Sequence, residues 1–271
     1  MKLKCRDHSN ALKDHSRVMR EQFGIKTTGE QYVIALAGNP NVGKSTVFNA
    51  LTGLHQHTGN WPGKTVDNAQ GTYSYRNKSF LLVDLPGTYS LLAHSVEEEI
   101  ARDFICFGQP DATIVVLDAT SLERNLNLAL QVMEISSNVI VCVNLIDEAR
   151  KKKLSINFDE LEKELGVPIV PTAARNGEGL QELQKAVYSM VVEKKKTWPK
   201  QIPYSEEVEQ AISALLPKVE GLSLARVVNP KWLALRLLDS DVSFIETISR
   251  YAATQPQKTV AFQRQRGEFT L

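Results

Sequence analysis

Continuous apolar runs alternate with amphipathic segments over roughly the first two thirds of the chain. Apolar runs bounded by turn residues predict buried strands, and apolar positions spaced three or four apart predict helices. Strands are predicted near residues 31–38, 68–76, 78–84, 112–118, 138–144 and 167–171. Helices are predicted near residues 44–53, 95–107, 122–136, 157–165 and 178–193. The alternation predicts an α/β domain whose mostly parallel, six-stranded sheet is covered by helices on both faces.

Two neighbouring strands are too close in sequence for a parallel crossover. Residues 68–76 and 78–84 are separated only by the turn Arg76-Asn77-Lys78, so we expect a hairpin and one antiparallel edge. Ligands of open α/β sheets bind beyond the carboxyl ends of the strands. Functional residues are therefore expected in the segments that follow the strands.

The pattern changes after about residue 194, where a lysine-rich linker begins. Helical signals follow at Glu206–Leu216, which we expect Pro217 to end, and at 230–238 and 242–253. These segments predict a small all-helical subdomain docked on the α/β domain. The predicted organisation is an extension of unknown role (1–28), a nucleotide-binding domain (29–196), a helical subdomain (197–254) and a mobile tail (255–271).

The first predicted strand runs directly into Gly38-Asn39-Pro40-Asn41-Val42-Gly43-Lys44-Ser45-Thr46. The spacing G-x-x-x-x-G-K-S between a strand and a helix is typical of a phosphate-binding loop. Its glycines let backbone N–H groups approach phosphate oxygens, and the helix dipole favours the anion. We expect Lys44 to contact the β- and γ-phosphates and Ser45 to ligate Mg²⁺.

The segment Asp84-Leu85-Pro86-Gly87 follows the predicted strand 78–84. A carboxylate at a strand end next to the phosphate loop fits a metal site, so Asp84 is expected to hold a Mg²⁺-bound water. The N–H of Gly87 is expected to contact the γ-phosphate.

Two further segments indicate which base is bound. In Asn144-Leu145-Ile146-Asp147, the carboxylate of Asp147 can accept hydrogen bonds from the N1 and N2 donors of guanine. Adenine lacks this donor pair and would leave the carboxylate unpaired. The small residues of Thr172-Ala173-Ala174 let a backbone N–H approach the guanine O6. The order of the four motifs predicts a guanine-nucleotide-binding domain, in which Asn144 either steadies the loops or contacts the base.

Composition limits the alternatives. The 271 residues are 42% hydrophobic and 23% charged, which is typical of a soluble globular protein. A net charge of +1 gives no general attraction to nucleic acid. Three cysteines favour a reducing compartment over a disulfide framework, and no apolar run approaches the length of a membrane span. The N-terminus has no apolar core and does not resemble a secretory signal.

Four segments together resemble the cytoplasmic GTPase region of the ferrous iron transport protein B (FeoB) family: Gly38–Ser45, Gly59–Val66, Val83–Leu91 and Asp118–Leu126. The resemblance covers residues 31–195 well and the helical part loosely. It implies a regulatory GTPase domain at the cytoplasmic face of the bacterial membrane, whose partner is the membrane-spanning portion of the same polypeptide. It also implies that the helical part modulates nucleotide release, and it leaves self-association possible.

The resemblance assigns further roles. Thr65 corresponds to the first-switch threonine that contacts Mg²⁺ and the γ-phosphate. Asn41 corresponds to the asparagine that ligates K⁺ in potassium-stimulated GTPases, with backbone carbonyls of Gly59 and Trp61 completing the shell. Asn41, Lys44, Thr65 and Gly87 are accordingly the expected catalytic residues. Because Thr88 stands where other GTPases carry a water-orienting glutamine, we expect slow hydrolysis without K⁺.

Several alternatives remain open at the level of sequence. Trp61 could instead fill a groove on the first switch, and Asn41 could be a turn former. Leu145, where many GTPases have lysine, is expected to weaken nucleotide retention. His55 and His57 could sense iron, although solvated positions are favoured, and Cys5 could also contact iron. The competing functions are a soluble GTPase of ribosome assembly or RNA maturation, and an adaptor in which binding alone matters.

Overall fold

A computed structural model describes residues 16–28, 30–53, 56–92, 94–222, 228–239 and 242–253. Its centre is a seven-stranded sheet in the order β2-β3-β4-β1-β5-β6-β7. β2–β3 and β3–β4 pair antiparallel, and the other neighbours pair in parallel. The strands are β1 Gln31–Gly38, β2 Gln56–Asn60, β3 Asp67–Tyr75, β4 Lys78–Asp84, β5 Ala112–Asp118, β6 Val139–Asn144 and β7 Ile169–Pro171.

The expected α/β architecture with an antiparallel edge is confirmed, but the count of six strands is wrong. The additional strand is β2, whose sequence Gln-His-Thr-Gly-Asn contains no apolar residue and is mostly exposed. It exists because its backbone pairs with β3, from Gln56 opposite Gly71 to Asn60 opposite Asp67. The hairpin between β3 and β4 forms where predicted, with positive φ at Arg76 and Asn77.

Ten helices are described, together with a 3₁₀ turn at Ala174–Asn176. The helices are α1 at residues 16–22, α2 Lys44–Thr52, α3 Val96–Phe107, α4 Leu122–Ile135, α5 Ile146–Lys151, α6 Phe158–Leu165, α7 Leu180–Val191, α8 Glu206–Glu220, α9 Pro230–Leu238 and α10 Val242–Ala253. The sequence did not predict α1 and α5, which are short.

Both faces of the sheet are covered. Alternate residues of β1 enter two separate cores: Val33 packs on the side of α3 and α4, whereas Ile34 packs on the side of α2 and α7. This burial on both faces explains why the central strands read as continuous apolar runs.

The last three helices pack on the α/β domain. The Asn229 side chain caps α9 and donates through Nδ2 to the carbonyl oxygen of Glu134 at 2.9 Å. Phe244 of α10 stacks on Phe107 of α3, with ring centroids 6.2 Å apart. The docked helical subdomain is therefore confirmed.

The predicted end of α8 at Pro217 is wrong, since the helix continues to Glu220. Proline lacks the N–H that would bond the carbonyl of Ser213 and its ring crowds that carbonyl, so the last turn depends on packing, with Val219 buried. The predicted tail at 255–271 lies outside the described residues. Among the residues that are described, none of the helices combines the length and the hydropathy needed to cross a bilayer.

Candidate nucleotide-binding site

The phosphate loop connects β1 to α2 and depends on two glycines. Gly43 has a φ of 80°, and a Cβ there would lie 2.4 Å from Nδ2 of Asn144. A Cβ at Gly38 would lie 2.8 Å from the carbonyl oxygen of Val116. Both positions exclude larger side chains, the first through its backbone conformation as well as its surroundings.

The N-terminus of α2 presents backbone donors. Within the described part of the chain, no side chain caps this helix, whose N-cap is Gly43. The N–H groups of a first helical turn lack intrahelical partners, and the dipole there favours anions. Ser45 and Thr46 lie exposed at this end. This is the geometry of an anion site.

Lys44 and Asp84 form a hydrogen-bonded ion pair. Both side chains are largely buried, with relative exposures of 11% and 16%. Burial raises the pKa of Asp84, and the neighbouring Lys44 ammonium opposes that shift. A triphosphate with a cation would compete with this pair for both charges.

Gly87 lies against the phosphate loop. A Cβ at Gly87 would be 3.4 Å from Cα of Pro40, and the N–H of Thr88 donates to the carbonyl oxygen of Gly38 at 3.2 Å. The hydroxyl of Thr88 is engaged with the backbone of Ser90, to which it donates at 2.6 Å. Thr88 is therefore held by local contacts and is 3% exposed.

Asn144 joins the phosphate loop to the base-side segments. Its Nδ2 donates to the carbonyl oxygen of Val42 at 3.0 Å. Its Oδ1 accepts from the hydroxyl of Thr172 at 3.2 Å and from the N–H of Ala174 at 3.1 Å. Only 1% of the residue is exposed. Of the two roles considered from sequence, these contacts are those of a residue that steadies the loops.

Asp147 lies in the first turn of α5, which begins after Leu145 in the left-handed conformation. The carboxylate accepts one long hydrogen bond, 3.5 Å, from Nδ2 of Asn176. Leu145 lies over the phosphate loop, since its Cδ2 is 3.8 Å from the position of a Cβ on Gly43. The position at which many GTPases have lysine is thus occupied by the shorter, apolar side chain of Leu145, which lies beside the loop.

The Thr172–Ala174 segment is held by its own backbone. The N–H of Thr172 donates to Val143 at 2.8 Å, and that of Ala173 donates to Glu178 at 3.1 Å. Because the Ala174 N–H donates to Asn144, a base oxygen would share or replace that acceptor.

The residues expected in the first switch and at the potassium site differ in their burial and contacts. Thr65 is exposed in the turn between β2 and β3. Trp61 is buried beside Phe23 and Phe104, and its carbonyl oxygen accepts from the N–H of Lys64. Gly59 lies in β2, and Asn41 is exposed with a φ of 66°.

Sequence reasoning missed three contacting residues, because each acts across a long sequence separation. Gln131 of α4 accepts from the N–H of Leu91 at 2.7 Å, after the Asp84–Gly87 segment. Glu99 pairs with Lys64 at 3.0 Å. Asn176 lies beside Asp147. No local motif marks any of them.

Of the residues considered for iron, Cys5 and His55 lie outside the described residues, and His57 is exposed on β2. Over the described ranges, no three His, Cys, Asp or Glu side chains are grouped as metal ligands. Cys142 is fully buried against Thr172, as expected of a core residue, and burial raises the pKa of its thiol to about 12.

Known proteins share this arrangement. A sequence model described as ferrous iron transport protein B matches residues 32–187, and one described as the FeoB cytosolic helical domain matches residues 204–269. The Fe(2+) transporter FeoB of Methanocaldococcus jannaschii is 45% identical over 219 residues. That match includes 81% of this chain and 32% of the relative, so the chain spans about a third of its length.

Solved structures of FeoB cytosolic domains superpose on most of this chain. The T. maritima cytosolic domain in a GDP form gives a TM-score of 0.75 at 38% identity, covering 85% of this chain and 88% of that one. The same domain in a GMPPNP form gives a TM-score of 0.70 at 39% identity, covering 83% of this chain and 87% of that one. The fold is that of a P-loop GTPase, and the chain belongs to the ferrous iron transport protein B family.

Proposed function

We propose that this chain binds and hydrolyses GTP as the regulatory domain of a ferrous iron membrane transporter. The observation that carries the proposal is the buried amide of Asn144, which fixes the phosphate loop and the base-side turn relative to each other. The solved GDP and GMPPNP forms of the similar cytosolic domain support the choice of ligand.

The nucleotide would lie along the carboxyl ends of the central strands. Lys44 would move from Asp84 toward the β- and γ-phosphates, and the N–H of Gly87 would contact the γ-phosphate. Asp147 would accept from N1 and N2 of guanine. The proposed nucleotide-binding residues are Gly38, Asn39, Pro40, Asn41, Val42, Gly43, Lys44, Ser45, Thr46, Thr65, Asp84, Gly87, Asn144, Asp147, Thr172, Ala173 and Ala174.

The donor atoms fit a magnesium ion. Ser45, Thr65 and Asp84 supply hydroxyl and carboxylate oxygens, which are the ligands that Mg²⁺ prefers. The buried carboxylate of Asp84 already holds one cation, the Lys44 ammonium. Bound there, Mg²⁺ would neutralise charge on the phosphates.

The donors proposed for potassium are also oxygens: the exposed side chain of Asn41 and the carbonyls of Gly59 and Trp61. A monovalent cation at this place would supply the positive charge that other GTPases take from an arginine. Because the Thr88 hydroxyl is held by Ser90, it is poorly placed to orient water, so we propose that turnover is slow without K⁺.

In the proposed switch, GTP orders the segments of Thr65 and Gly87, and hydrolysis releases them. The helical subdomain and the membrane-spanning portion of the polypeptide would receive this signal at the cytoplasmic face and gate or drive Fe²⁺ uptake. The domain limits of 29–196 and 197–254 belong to this proposal, as does any self-association. The near-neutral charge gives no support to an RNA-maturation GTPase.

The proposal is tested by following phosphate release from GTP by the purified chain in KCl and in NaCl. We expect slow GTP hydrolysis that is faster in K⁺ by tenfold or more, with ATP unused. Equal rates in both salts would remove the potassium role. Absence of GTP turnover in either salt would reduce the domain to the binding adaptor.

A further inference from the structure

The segment before the first strand contacts the first switch. Residues 16–22 form α1, and Met19, Phe23 and Ile25 are buried in the same core as α3. Arg20 anchors this segment through an ion pair of 3.1 Å with Asp111, just before β5. The segment is therefore part of the folded domain.

Phe23, Trp61 and Phe104 form a three-membered aromatic cluster. The ring centroids of Phe23 and Trp61 are 6.4 Å apart, those of Phe23 and Phe104 are 5.3 Å apart, and those of Trp61 and Phe104 are 5.5 Å apart. All three pairs meet edge to face, a favourable geometry for aromatic rings. Exposures are 7%, 2% and 0%.

Two further contacts hold the same turn. Lys64 pairs with Glu99 of α3 at 3.0 Å. Pro62 lies against Gly24, 3.4 Å from where a Cβ of that residue would be. Thr65 stands between Lys64 and Val66, whose carbonyl oxygen accepts from the N–H of Trp61 at 2.9 Å. Thr65 therefore cannot move far without disturbing the anchored residues.

One polar group of the aromatic cluster lacks a hydrogen-bond partner among the described residues. The indole N–H of Trp61 is buried and has no hydrogen-bond partner among the described residues. A cavity of about 160 Å³ lies beside it, lined by Phe23, Trp61, Lys64 and Glu99 among others. A buried donor without a partner weakens the packing, so the cluster is suited to being released.

We propose that Phe23 is a positioning residue for the first switch: it holds Trp61 against α3 and so restrains the turn that carries Thr65 until nucleotide draws the turn away. This inference rests on the proposed function, in which Thr65 contacts the γ-phosphate. The N-terminal segment thereby sets how readily the switch responds.

Limited trypsin digestion tests the proposal, because Lys64 offers a cleavage site inside the anchored turn. In nucleotide-free protein, Phe23→Ala should raise the rate of cleavage between Lys64 and Thr65 at least tenfold, which corresponds to about 1.4 kcal/mol. Phe23→Leu should give an intermediate rate. Val18→Ala, on the exposed face of α1, is the matched control and should leave the rate unchanged.

Glu99→Gln provides a second variant that leaves the aromatic core intact, and it should also raise cleavage at Lys64. A rate within twofold of the unmodified protein for Phe23→Ala would overturn the proposal, whatever the result for Glu99→Gln. Cleavage in Phe23→Ala that rises equally at lysines throughout the chain would show a purely stabilising role and would also overturn it.

A non-hydrolysable GTP analogue separates the two proposals. It should change cleavage at Lys64 in the unmodified protein, and Phe23→Ala should reach that change at a lower analogue concentration. If the chain binds no guanine nucleotide, the proposed function fails, whereas the comparison of nucleotide-free variants still decides the role of Phe23.

Discussion

The side-chain amide of Asn144 donates to the carbonyl oxygen of Val42 at 3.0 Å, across 102 residues of sequence. Through this contact the end of β6 holds the phosphate loop at the end of β1. The other end of the same amide accepts from Ala174, beyond β7. One buried side chain therefore sets the distance between the phosphate and base halves of the site.

Replacing Asn144 by alanine should loosen both the phosphate half and the base half of the site. The carbonyl of Val42 and the N–H of Ala174 would lose their partner in a buried place, and an unsatisfied group costs about 1–3 kcal/mol. We expect a lower free energy of unfolding by denaturant titration and at least tenfold weaker GTP binding. Asn138→Ala, which removes an exposed bond to Asp111, is the control. Unchanged GTP affinity in Asn144→Ala would contradict the bridging role.

Thr65→Ala should leave nucleotide binding largely intact and lower hydrolysis by tenfold or more. The reason is that Thr65 is exposed in the turn between β2 and β3, and its hydroxyl is expected to act only once GTP orders the switch. Single-turnover hydrolysis and a binding titration on the same preparation measure the two effects. Turnover equal to that of the unmodified protein would remove Thr65 from the mechanism.

Asn41→Ala should abolish the difference between K⁺ and Na⁺ while GTP still binds. The side chain is exposed on the loop, and its left-handed φ of 66° suits asparagine better than alanine, so Asn41→Gly serves as a control for backbone strain. Hydrolysis rates are compared over a potassium titration. Stimulation that persists in both variants would place the ion on another group.

Alkaline pH should destabilise the domain through Cys142. Burial raises the pKa of this thiol from 9.0 to about 12, so the folded protein retains a proton that the unfolded chain loses. The stability that the protonated thiol contributes to the folded state is fully present below pH 9 and is lost as pH rises toward 12. Denaturant titrations across this range should show a falling free energy of unfolding, with a smaller slope in Cys142→Ala. Equal slopes would contradict the assignment. Labelling of Cys142 by iodoacetamide should require unfolding.

The predictable part of the fold was local in sequence. Apolar runs such as Phe80–Val83 were recognisable because both faces of the strand are covered, and each motif directly follows its strand. By contrast, β2 has no apolar residue, and only its pairing with β3 makes it a strand. Pro217 was a misleading signal, since the helix continues for one more turn with Val219 buried, and burial is a tertiary effect that the local sequence does not show.

The site was predictable as a set of motifs, but the contacts among them were not. The sequence could name Asn144 and Lys44 but left the role of Asn144 open, because its partners Val42 and Ala174 are remote in sequence. The same holds for Phe23, which lies in a segment without any recognised pattern, and for Gln131. Such contacts follow from packing between elements, which periodicity does not encode.

We propose that the carboxylate of Asp147 selects guanine. The most direct test of this proposal is to measure the dissociation constants of GTP and ATP for the unmodified chain and for Asp147→Asn, with Glu148→Gln in the same helical turn as control. We predict that GTP binds at least a hundredfold more tightly than ATP, and that Asp147→Asn weakens GTP binding well beyond tenfold because a charge-assisted pair of hydrogen bonds is lost. Equal affinities for the two nucleotides, or an unchanged GTP affinity in Asp147→Asn, would contradict the account.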